Sequence, residues 1–276
     1  MCKRNKVKLL FMVFFAAFLG MICSGCGKNQ TKKEESAENL PKIIVGCDMY
    51  PPYSYEDANG EPTGIDVDLA REAFRRMGYD AEIQFINWED KKQLVESGAI
   101  DCIWCSFTID GREDQYRWTK PYMKSRQVVA VRVDSDIYTL ADLEGKKIAV
   151  QSTTKPEEIL SSHVDTRIPE LAEVFSLQNR ELLYPFLSKG YVDAIAAHET
   201  SILQCMKDYG LEYRILDEPL LTVGLGVAFA KNDDRGLETE LTGVLQDMQE
   251  EGVLEEIIGN YLDDPQRYLW EAENED

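Results

Sequence analysis

Residues 45–69 read VGCDMYPPYSYEDANGEPTGIDVDL, and this stretch decides the fold. An apolar strand is predicted at 43–45, and it runs into a loop that two adjacent prolines stiffen because each ring fixes φ. A helix with apolar residues at helical spacing is predicted over 65–77, so the loop lies at the carboxyl end of a strand in a βα unit. Because open α/β sheets bind small molecules at that edge, we expect Asp48 and Tyr50 to form part of a ligand wall. Simple packing of the loop by its aromatic residues is the alternative.

The N-terminal residues 1–25 have the three parts of a secretory signal peptide, namely a basic start, an apolar run and small residues before a cysteine. The apolar run is rather short for a lasting membrane span. Ser24 and Gly25 before Cys26 resemble a bacterial lipobox, with Cys23 where leucine is usual, which makes Cys26 the expected lipidation site. A simple membrane anchor is the alternative. Both interpretations place the bulk of the chain outside the cytoplasm.

The segment 26–41 is predicted to be the lipidated cysteine followed by a flexible tether, because the residues after the cysteine are polar and have no periodicity. The full chain has 30 Lys and Arg against 50 Asp and Glu, a net charge of −20. Such a chain is poorly suited to neutralising phosphates, so we exclude nucleic acid as a partner. The acidic composition weakly favours a neutral or cationic ligand over an acidic one. About 235 residues follow the tether, enough for one large domain or two lobes.

Four cysteines follow the tether, and we expect them to be buried free thiols: Cys47, Cys102, Cys105 and Cys205. Cys102 and Cys105 lie three positions apart in an apparent strand, so their side chains point to opposite faces. A metal or redox site would need a second pair of cysteines or a thioredoxin-like context, and the sequence has neither. We therefore expect no metal site and no cofactor.

Short apolar runs alternate with amphipathic segments along the rest of the chain, which predicts βαβ units and mainly parallel sheets. The predicted strands cover 43–45, 81–86, 100–105, 127–133, 146–150, 173–175, 192–196, 213–215 and 223–230. The predicted helices cover 65–77, 90–96, 140–143, 156–161, 179–188, 201–207, 236–250 and 253–261.

These elements form two α/β sets of similar size, with the strands at 127–133 and 223–230 between them, which predicts two lobes joined by two crossings. The predicted limits are 42–131 with 224–262 for lobe 1, 132–223 for lobe 2 and 263–276 for an acidic C-terminal tail. The cleft between the lobes is the expected ligand site. The pattern alone leaves a single continuous sheet open.

Several motifs in a fixed order carry a resemblance that covers nearly all of 42–262. They are Val45–Asp48 with Tyr50–Tyr53, Gly64–Leu69, Trp88 before a helix, Ser97–Asp101, Arg112 before Pro121–Tyr122, and Leu140–Lys146. With these motifs the chain resembles the family 3 extracellular solute-binding proteins, the polar amino-acid receptors of ABC importers. The resemblance implies a two-lobed, periplasmic-binding-protein-like α/β fold of type II, in which each lobe is a mainly parallel sheet flanked by helices.

The resemblance also implies a site for the carboxylate of an amino acid. Arg112 matches the family's carboxylate-binding arginine, whose planar guanidinium can donate two parallel hydrogen bonds. The backbone N–H groups of Phe107 and Thr108 are expected to assist it. Thr153 and Thr154 precede a helix and are expected to offer further N–H groups to the same carboxylate, with simple N-capping as the alternative.

The ammonium group of the ligand needs an acceptor from the other lobe. Glu199 matches the family's position for a ligand-binding aspartate, although capping of the following helix is the alternative. His198 is expected to be a partly buried hydrogen-bonding residue. Tyr50, Trp88 and Trp104 are expected to form an aromatic side-chain pocket, with a core position as the alternative for Trp104.

The expected function is capture of an amino acid between two closing lobes by a monomeric, lipid-anchored receptor that delivers its ligand to an ABC transporter permease in the bacterial cell membrane. An enzyme is the first alternative: a dehydratase or lyase on the same scaffold, similar to cyclohexadienyl dehydratases, would use Glu199 or His198 as a general acid or base. A lipoprotein that presents its ligand to a sensor is the second alternative.

Overall fold

The computed structural model describes residues 40–271. The predicted signal peptide, the lipidation site at Cys26 and almost all of the predicted tether lie outside these described residues. Within 40–271, none of the helices combines the length and apolar character that crossing a membrane requires.

The described part of the chain contains 13 strands. They are β1 (Lys42–Cys47), β2 (Tyr55–Glu56), β3 (Pro62–Thr63), β4 (Asp80–Phe85), β5 (Cys102–Ile103), β6 (Arg117–Trp118), β7 (Met123–Arg132), β8 (Lys147–Gln151), β9 (Glu173–Leu177), β10 (Ala194–His198), β11 (Tyr213–Ile215), β12 (Leu221–Leu225) and β13 (Ala228–Phe229).

The same part of the chain contains seven α-helices. They are α1 (Ile65–Arg76), α2 (Lys91–Glu96), α3 (Lys155–Ser162), α4 (Leu183–Ser188), α5 (Glu199–Tyr209), α6 (Leu237–Glu250) and α7 (Val253–Gly259). Short 3-10 helices cover Trp88–Asp90, Leu140–Leu143, Arg180–Leu182 and Pro265–Tyr268.

The first sheet has the strand order β4-β1-β5-β13-β6. Strand β1 runs parallel to β4 and β5, whereas β13 runs antiparallel to β5 and β6. Helix α1 covers this sheet because its apolar residues, among them Leu69 and Phe74, repeat at helical spacing and are fully buried. Trp104 is also fully buried and packs edge-on against Phe74 at 5.9 Å between ring centroids, so it belongs to the core, which was the alternative.

The second sheet has the order β11-β7-β10-β8-β9, with β12 also paired to β7. Strands β8, β9 and β10 are parallel, and β7 is antiparallel to each of its partners. Successive side chains of a strand point to opposite sides, and in this sheet the side chains on both faces are buried. Val129 and Ile148 pack on one face, and Val128 and Ile195 pack on the other.

Two separate sheets therefore form, and a single continuous sheet does not. The chain passes from the first sheet to the second between β6 and β7, and it returns between β12 and β13. The described residues thus have the expected two-lobed α/β fold of type II. The pairing places the whole of β7 and β12 in the second sheet, while the lobe limits drawn at 131 and 224 stay a prediction.

The predicted strand at 223–230 was wrong as one element. It divides into β12, which pairs in the second sheet, and β13, which pairs in the first. Between them the chain passes close to Ile109 at Gly226, where a Cβ atom would lie 2.7 Å from Cδ1 of Ile109. The predicted strand at 100–105 is shortened to β5, since the chain turns at Ser106, where φ is 41°.

Candidate functional site

The loop that opens the sequence is fixed by backbone hydrogen bonds to itself and to the start of helix α1. The Tyr50 N–H donates to the Ser54 carbonyl at 2.5 Å, and the Asp66 N–H donates to the Tyr53 carbonyl at 2.8 Å. Gly64 makes this contact possible, because a Cβ atom there would lie 2.4 Å from the Tyr53 oxygen and φ is 120°. The loop is therefore held rigidly against the helix, and Tyr50 and Tyr53 are both buried.

A buried carboxyl group supports the neighbouring loop. Asp66 accepts hydrogen bonds from the Ser106 N–H at 2.6 Å and from the Tyr122 hydroxyl at 2.7 Å. Burial raises the pKa of Asp66 to about 7, and the two hydrogen bonds oppose this rise. Asp66 thus holds the left-handed turn at Ser106 that precedes Phe107 and Thr108.

A cavity lies between the two sheets, with about 30 Å³ accessible to the centre of a water-sized sphere. Seven of the predicted site residues line it: Tyr50, Trp88, Phe107, Thr108, Arg112, Thr153 and Thr154. Asp48 and Glu199 are not among the lining residues, although Gln151 and Arg180, the partners of Asp48, are. That the lining residues bind a ligand stays a prediction.

Arg112 presents its guanidinium to the cavity from the first lobe. One of its nitrogens, Nη1, donates to the Thr108 carbonyl at 3.3 Å, and Nη2 lies 3.7 Å from a carboxylate oxygen of Glu158. The guanidinium carbon lies 5.4 Å from the centre of the Phe107 ring. Burial lowers the pKa of Arg112, which nevertheless stays charged. Donor capacity of the guanidinium therefore remains for a ligand.

The aromatic wall of the cavity includes Trp88 and Phe107, which meet edge to face at 5.2 Å between ring centroids. The ammonium of Lys91 lies 4.6 Å from the centre of the Trp88 ring and donates to Thr153 Oγ1 at 2.8 Å. Burial, followed by repulsion from Arg112, lowers the pKa of Lys91 to about 8. The Trp88 Nε1–H has no hydrogen-bond partner within residues 40–271.

Arg180 enters the cavity from the second lobe, and the sequence analysis did not identify it. Its guanidinium stacks on the Tyr50 ring at 3.0 Å from the ring centre, and Nε donates to Gln151 Oε1 at 2.6 Å. Asp48 Oδ2 accepts from Gln151 Nε2 at 2.8 Å and lies 3.1 Å from Arg180 Nη2. Asp48 therefore connects the opening loop to the second lobe. The available signal was the position of Arg180 three residues after strand β9, at the start of a 3-10 helix.

The two lobes touch around the cavity. The Tyr53 hydroxyl lies 2.7 Å from Thr200 Oγ1, and the His198 N–H donates to the Tyr50 hydroxyl at 3.1 Å. On the other side, Ser152 Oγ donates to a Glu89 carboxylate oxygen at 2.6 Å. These contacts hold the lobes in a closed arrangement.

His198 lines the cavity, and both of its ring nitrogens are already engaged. Nδ1 lies 2.8 Å from Ser125 Oγ, and Nε2 lies 2.9 Å from Gln127 Nε2. Burial and the nearby Arg180 lower the pKa of His198 to about 3, so the ring is neutral near pH 7. Gln127 Oε1 has no hydrogen-bond partner among the described residues.

Glu199 points away from the cavity, contrary to the expected contact with an ammonium group. Its carboxylate lies 2.6 Å from Arg126 Nη1 and 3.6 Å from Arg267 Nη2. The physical reason is the change of direction at the end of strand β10: His198 closes the strand inside the cavity, and Glu199 begins helix α5. The residue that faces the cavity is therefore the neighbouring imidazole.

The cysteine prediction is confirmed. Cys47, Cys102, Cys105 and Cys205 are buried free thiols. Burial raises the pKa of each thiol, which keeps them protonated. No group of three or more His, Cys, Asp or Glu residues between 40 and 271 could hold a metal ion.

Comparison with known proteins agrees with the fold. The chain is 29% identical over 232 residues to the histidine-binding periplasmic protein of Salmonella typhimurium, covering 80% of this chain and 88% of that protein. It is 23% identical over 263 residues to the probable amino-acid-binding protein YxeM of Bacillus subtilis, covering 94% and 97%. An ancestral arginine-binding protein solved with arginine superposes with a TM-score of 0.73 at 25% identity, covering 80% of this chain and 98% of that one.

The family comparison covers most of the described chain. The model of the bacterial extracellular solute-binding proteins, family 3, matches residues 43–264, a range that contains both sheets and every residue of the cavity. The resemblance inferred from the motifs is thereby confirmed. This chain belongs to the bacterial extracellular solute-binding proteins, family 3.

Proposed function

We propose that this protein captures an amino acid in the cavity between its two lobes and delivers it to the permease of an ABC transporter. The protein acts outside the cytoplasm as a monomer anchored to the bacterial cell membrane through a lipid on Cys26. No covalent bond is made or broken, because capture depends only on the closing of the two lobes around the ligand.

The observation that carries this proposal is the composition of the cavity. One lobe contributes a guanidinium and an aromatic wall from Arg112, Trp88 and Phe107, and the other lobe contributes Arg180 and His198. A ligand held by both groups of residues would stabilise the closed arrangement. The relatives that bind histidine and arginine support an amino acid as the ligand.

The geometry gives less support to a dehydratase or lyase. A general acid or base must reach the reacting group and exchange a proton with it. Both ring nitrogens of His198 are engaged, and Glu199 is held by Arg126 and Arg267 outside the cavity. Neither of the two residues expected to act in catalysis is therefore poised for proton transfer.

Calorimetric titration of the purified full chain in detergent with the 20 standard amino acids tests ligand capture. At least one amino acid is expected to bind, and Arg112→Met is expected to weaken its binding by at least about 30-fold, because one partner of a buried charge pair is lost. Arg75→Met is the matched control, since Arg75 lies on the exposed face of α1 and pairs with Glu72. Failure of every amino acid to bind, or unchanged binding by Arg112→Met, would contradict the proposal.

Anchoring and delivery need separate tests. The Cys26→Ala variant is expected to move from the membrane fraction to the soluble fraction after cell disruption, and its retention in the membrane would contradict a lipid anchor. Ligand-dependent ATP hydrolysis by a co-purified transporter is the expected result for delivery. Co-purification with a membrane sensor instead of a transporter would favour the ligand-presenting alternative.

A further inference from the structure

The cavity of this protein is lined by cations, and no Asp or Glu is among its described lining residues. Arg112 lines it from the first lobe, and Lys155 and Arg180 line it from the second. The ammonium of Lys91 lies next to the lining residues Trp88 and Thr153, and it donates hydrogen bonds to the Trp88 carbonyl at 3.0 Å and to Thr153 Oγ1. Four cationic side chains thus converge on one small volume.

Only two carboxylates pair with these four cations within the described residues. Asp48 pairs with Arg180, and Glu158 lies 2.6 Å from Lys155 and 3.7 Å from Arg112. Lys91 has no carboxylate partner within residues 40–271, although only 5% of its surface is exposed. The carboxylates of Asp48, Glu157 and Glu89 act on Lys91 only from beyond salt-bridge distance, so a ligand carboxylate in the cavity would compensate part of its charge.

Two further acidic residues stand near the rim, and both are bonded elsewhere. Glu89 accepts from Ser152 Oγ and Gln178 Nε2. Glu157 accepts from the Thr153 N–H at 2.5 Å and from Ser176. They therefore anchor the loops around the cavity and leave its interior cationic.

The two arginines retain donors that nothing in the described chain fills. Arg180 is 8% exposed, and its Nη1 is buried with no hydrogen-bond partner among residues 40–271. Arg112 makes one hydrogen bond through Nη1, at 3.3 Å. A guanidinium fork matches a carboxylate with two parallel hydrogen bonds. Arg112 therefore offers donors from one lobe and Arg180 Nη1 offers a further donor from the other, which suits a ligand with a carboxylate at each end.

Acceptors for a positively charged ligand group are few and neutral. The Gln127 Oε1 atom is buried and free of partners in the described structure, and the His198 ring is neutral with both nitrogens engaged. Gln127 could accept from one ammonium group. A second positive group, such as the guanidinium of an arginine ligand, would meet Arg180 or Lys91, and the Asp48 carboxylate beside Arg180 is already paired and lies outside the lining.

We infer that the ligand of this cavity carries two carboxylate groups and a net negative charge, as an acidic amino acid or a simple dicarboxylate does. This inference rests on the proposed function only in taking the cavity as the ligand site. It reverses the weak expectation from composition, because the net charge of −20 belongs to the whole chain and the cavity has the opposite sign.

Titration of the full chain with near-isosteric pairs of ligands tests the inference. L-Glutamate is expected to bind at least about 30-fold more tightly than L-glutamine, or L-aspartate more tightly than L-asparagine, because the neutral amide would give Arg180 Nη1 no anionic partner. Glutarate and succinate lack the amino group, so their binding distinguishes a simple dicarboxylate from an acidic amino acid as the ligand. L-Arginine is expected not to bind.

Variants of Arg180 locate the effect. Arg180→Gln is expected to weaken binding of the two-carboxylate ligand by at least about 30-fold and to abolish its preference over the amide. Arg180→Lys keeps the charge and is expected to retain that preference, which a merely structural role for Arg180 would not predict. Arg75→Gln removes an exposed arginine as the matched control, and circular dichroism checks that each variant is folded. If Arg180→Gln is unfolded, the preference for the two-carboxylate ligand over its amide is measured in Arg180→Lys and Lys91→Gln instead.

The outcomes separate this inference from the proposed function. Preferential binding of a neutral or basic amino acid overturns the inference and leaves the proposed function standing. Binding of glutarate or succinate with no amino acid bound supports the inference and contradicts an amino-acid receptor. Equal loss of glutamate and glutamine binding in Arg180→Gln overturns the inference. Absence of binding by every compound overturns both.

Discussion

Replacing Asp66 by asparagine is expected to remove a pH-dependent loss of stability from this protein. The carboxyl group is fully buried and accepts hydrogen bonds from the Ser106 N–H and the Tyr122 hydroxyl. An asparagine can keep both contacts, because its oxygen accepts from Ser106 while its nitrogen donates to the Tyr122 oxygen. The substitution therefore changes the charge and retains the shape.

The magnitude follows from the two pKa values of this group. Its ordinary pKa is 3.8, and burial raises the folded-state pKa to about 7. Between these values the unfolded chain has released the proton that the folded chain still holds, so the unfolded state binds fewer protons. The free energy of unfolding consequently falls as the pH rises through this window. The difference between 3.8 and about 7 corresponds to about 4 kcal/mol in total.

Urea unfolding followed by circular dichroism at pH 5 and pH 8 measures this contribution. Relative to wild type, Asp66→Asn is expected to gain about 3 kcal/mol in free energy of unfolding between these pH values, since most of the window lies above pH 5. Asp80→Asn, at an exposed position at the start of β4, is the control and is expected to give no such gain. The same pH dependence in wild type and Asp66→Asn would refute the assignment of this titration to Asp66.

Three further substitutions have specific expected outcomes. Gly64→Ala is expected to lower the free energy of unfolding by at least about 3 kcal/mol in urea titrations, because its Cβ would overlap a backbone oxygen at a residue with positive φ. Gly60→Ala is the control: its Cβ meets no atom within 4 Å, and the substitution is expected to lower the free energy of unfolding by about 1 kcal/mol. Tyr53→Phe removes the hydroxyl that contacts Thr200 across the lobes and is expected to weaken ligand affinity by about 5- to 30-fold in calorimetry; equal affinity would contradict a role in closure. His198→Gln is expected to lose less stability than wild type on acidification, by about 1.4 kcal/mol per pH unit below 6.5, because the native ring, with its pKa near 3, must stay neutral while the unfolded ring is protonated.

The contacts between the lobes suggest how capture and closure are linked in this protein. Arg180, Gln151 and Asp48 form one hydrogen-bonded group that spans both lobes, and Nη1 of Arg180 has no hydrogen-bond partner among the described residues. A carboxylate that bonds to this donor would strengthen the same group that joins the lobes. Binding would therefore favour the closed arrangement through its differential contacts with that arrangement.

Local pattern was enough to predict most of the individual elements. The helices at 65–77 and 236–250 and the strand at 213–215 match α1, α6 and β11 closely, because one buried face imposes a regular apolar spacing on each. The same pattern could not reveal the change of sheet at Gly226. That change depends on which distant strands the two segments pair with, β7 for β12 and β5 for β13.

The sequence by itself determined the alternation of strands and helices and the loop after β1, because these depend on short-range order. The residue pattern alone left a single continuous sheet open, and the order and spacing of the motifs implied, through the family resemblance, two lobes with Arg112 at the cavity. Only the tertiary structure decided which charges meet there. It brought Arg180 across the cleft onto Tyr50 and directed Glu199 away toward Arg126. Such pairing is set by where the ends of strands and the starts of helices lie in space. At the end of β10 the neutral imidazole of His198 faces the cavity, and the carboxylate of the next residue, Glu199, does not.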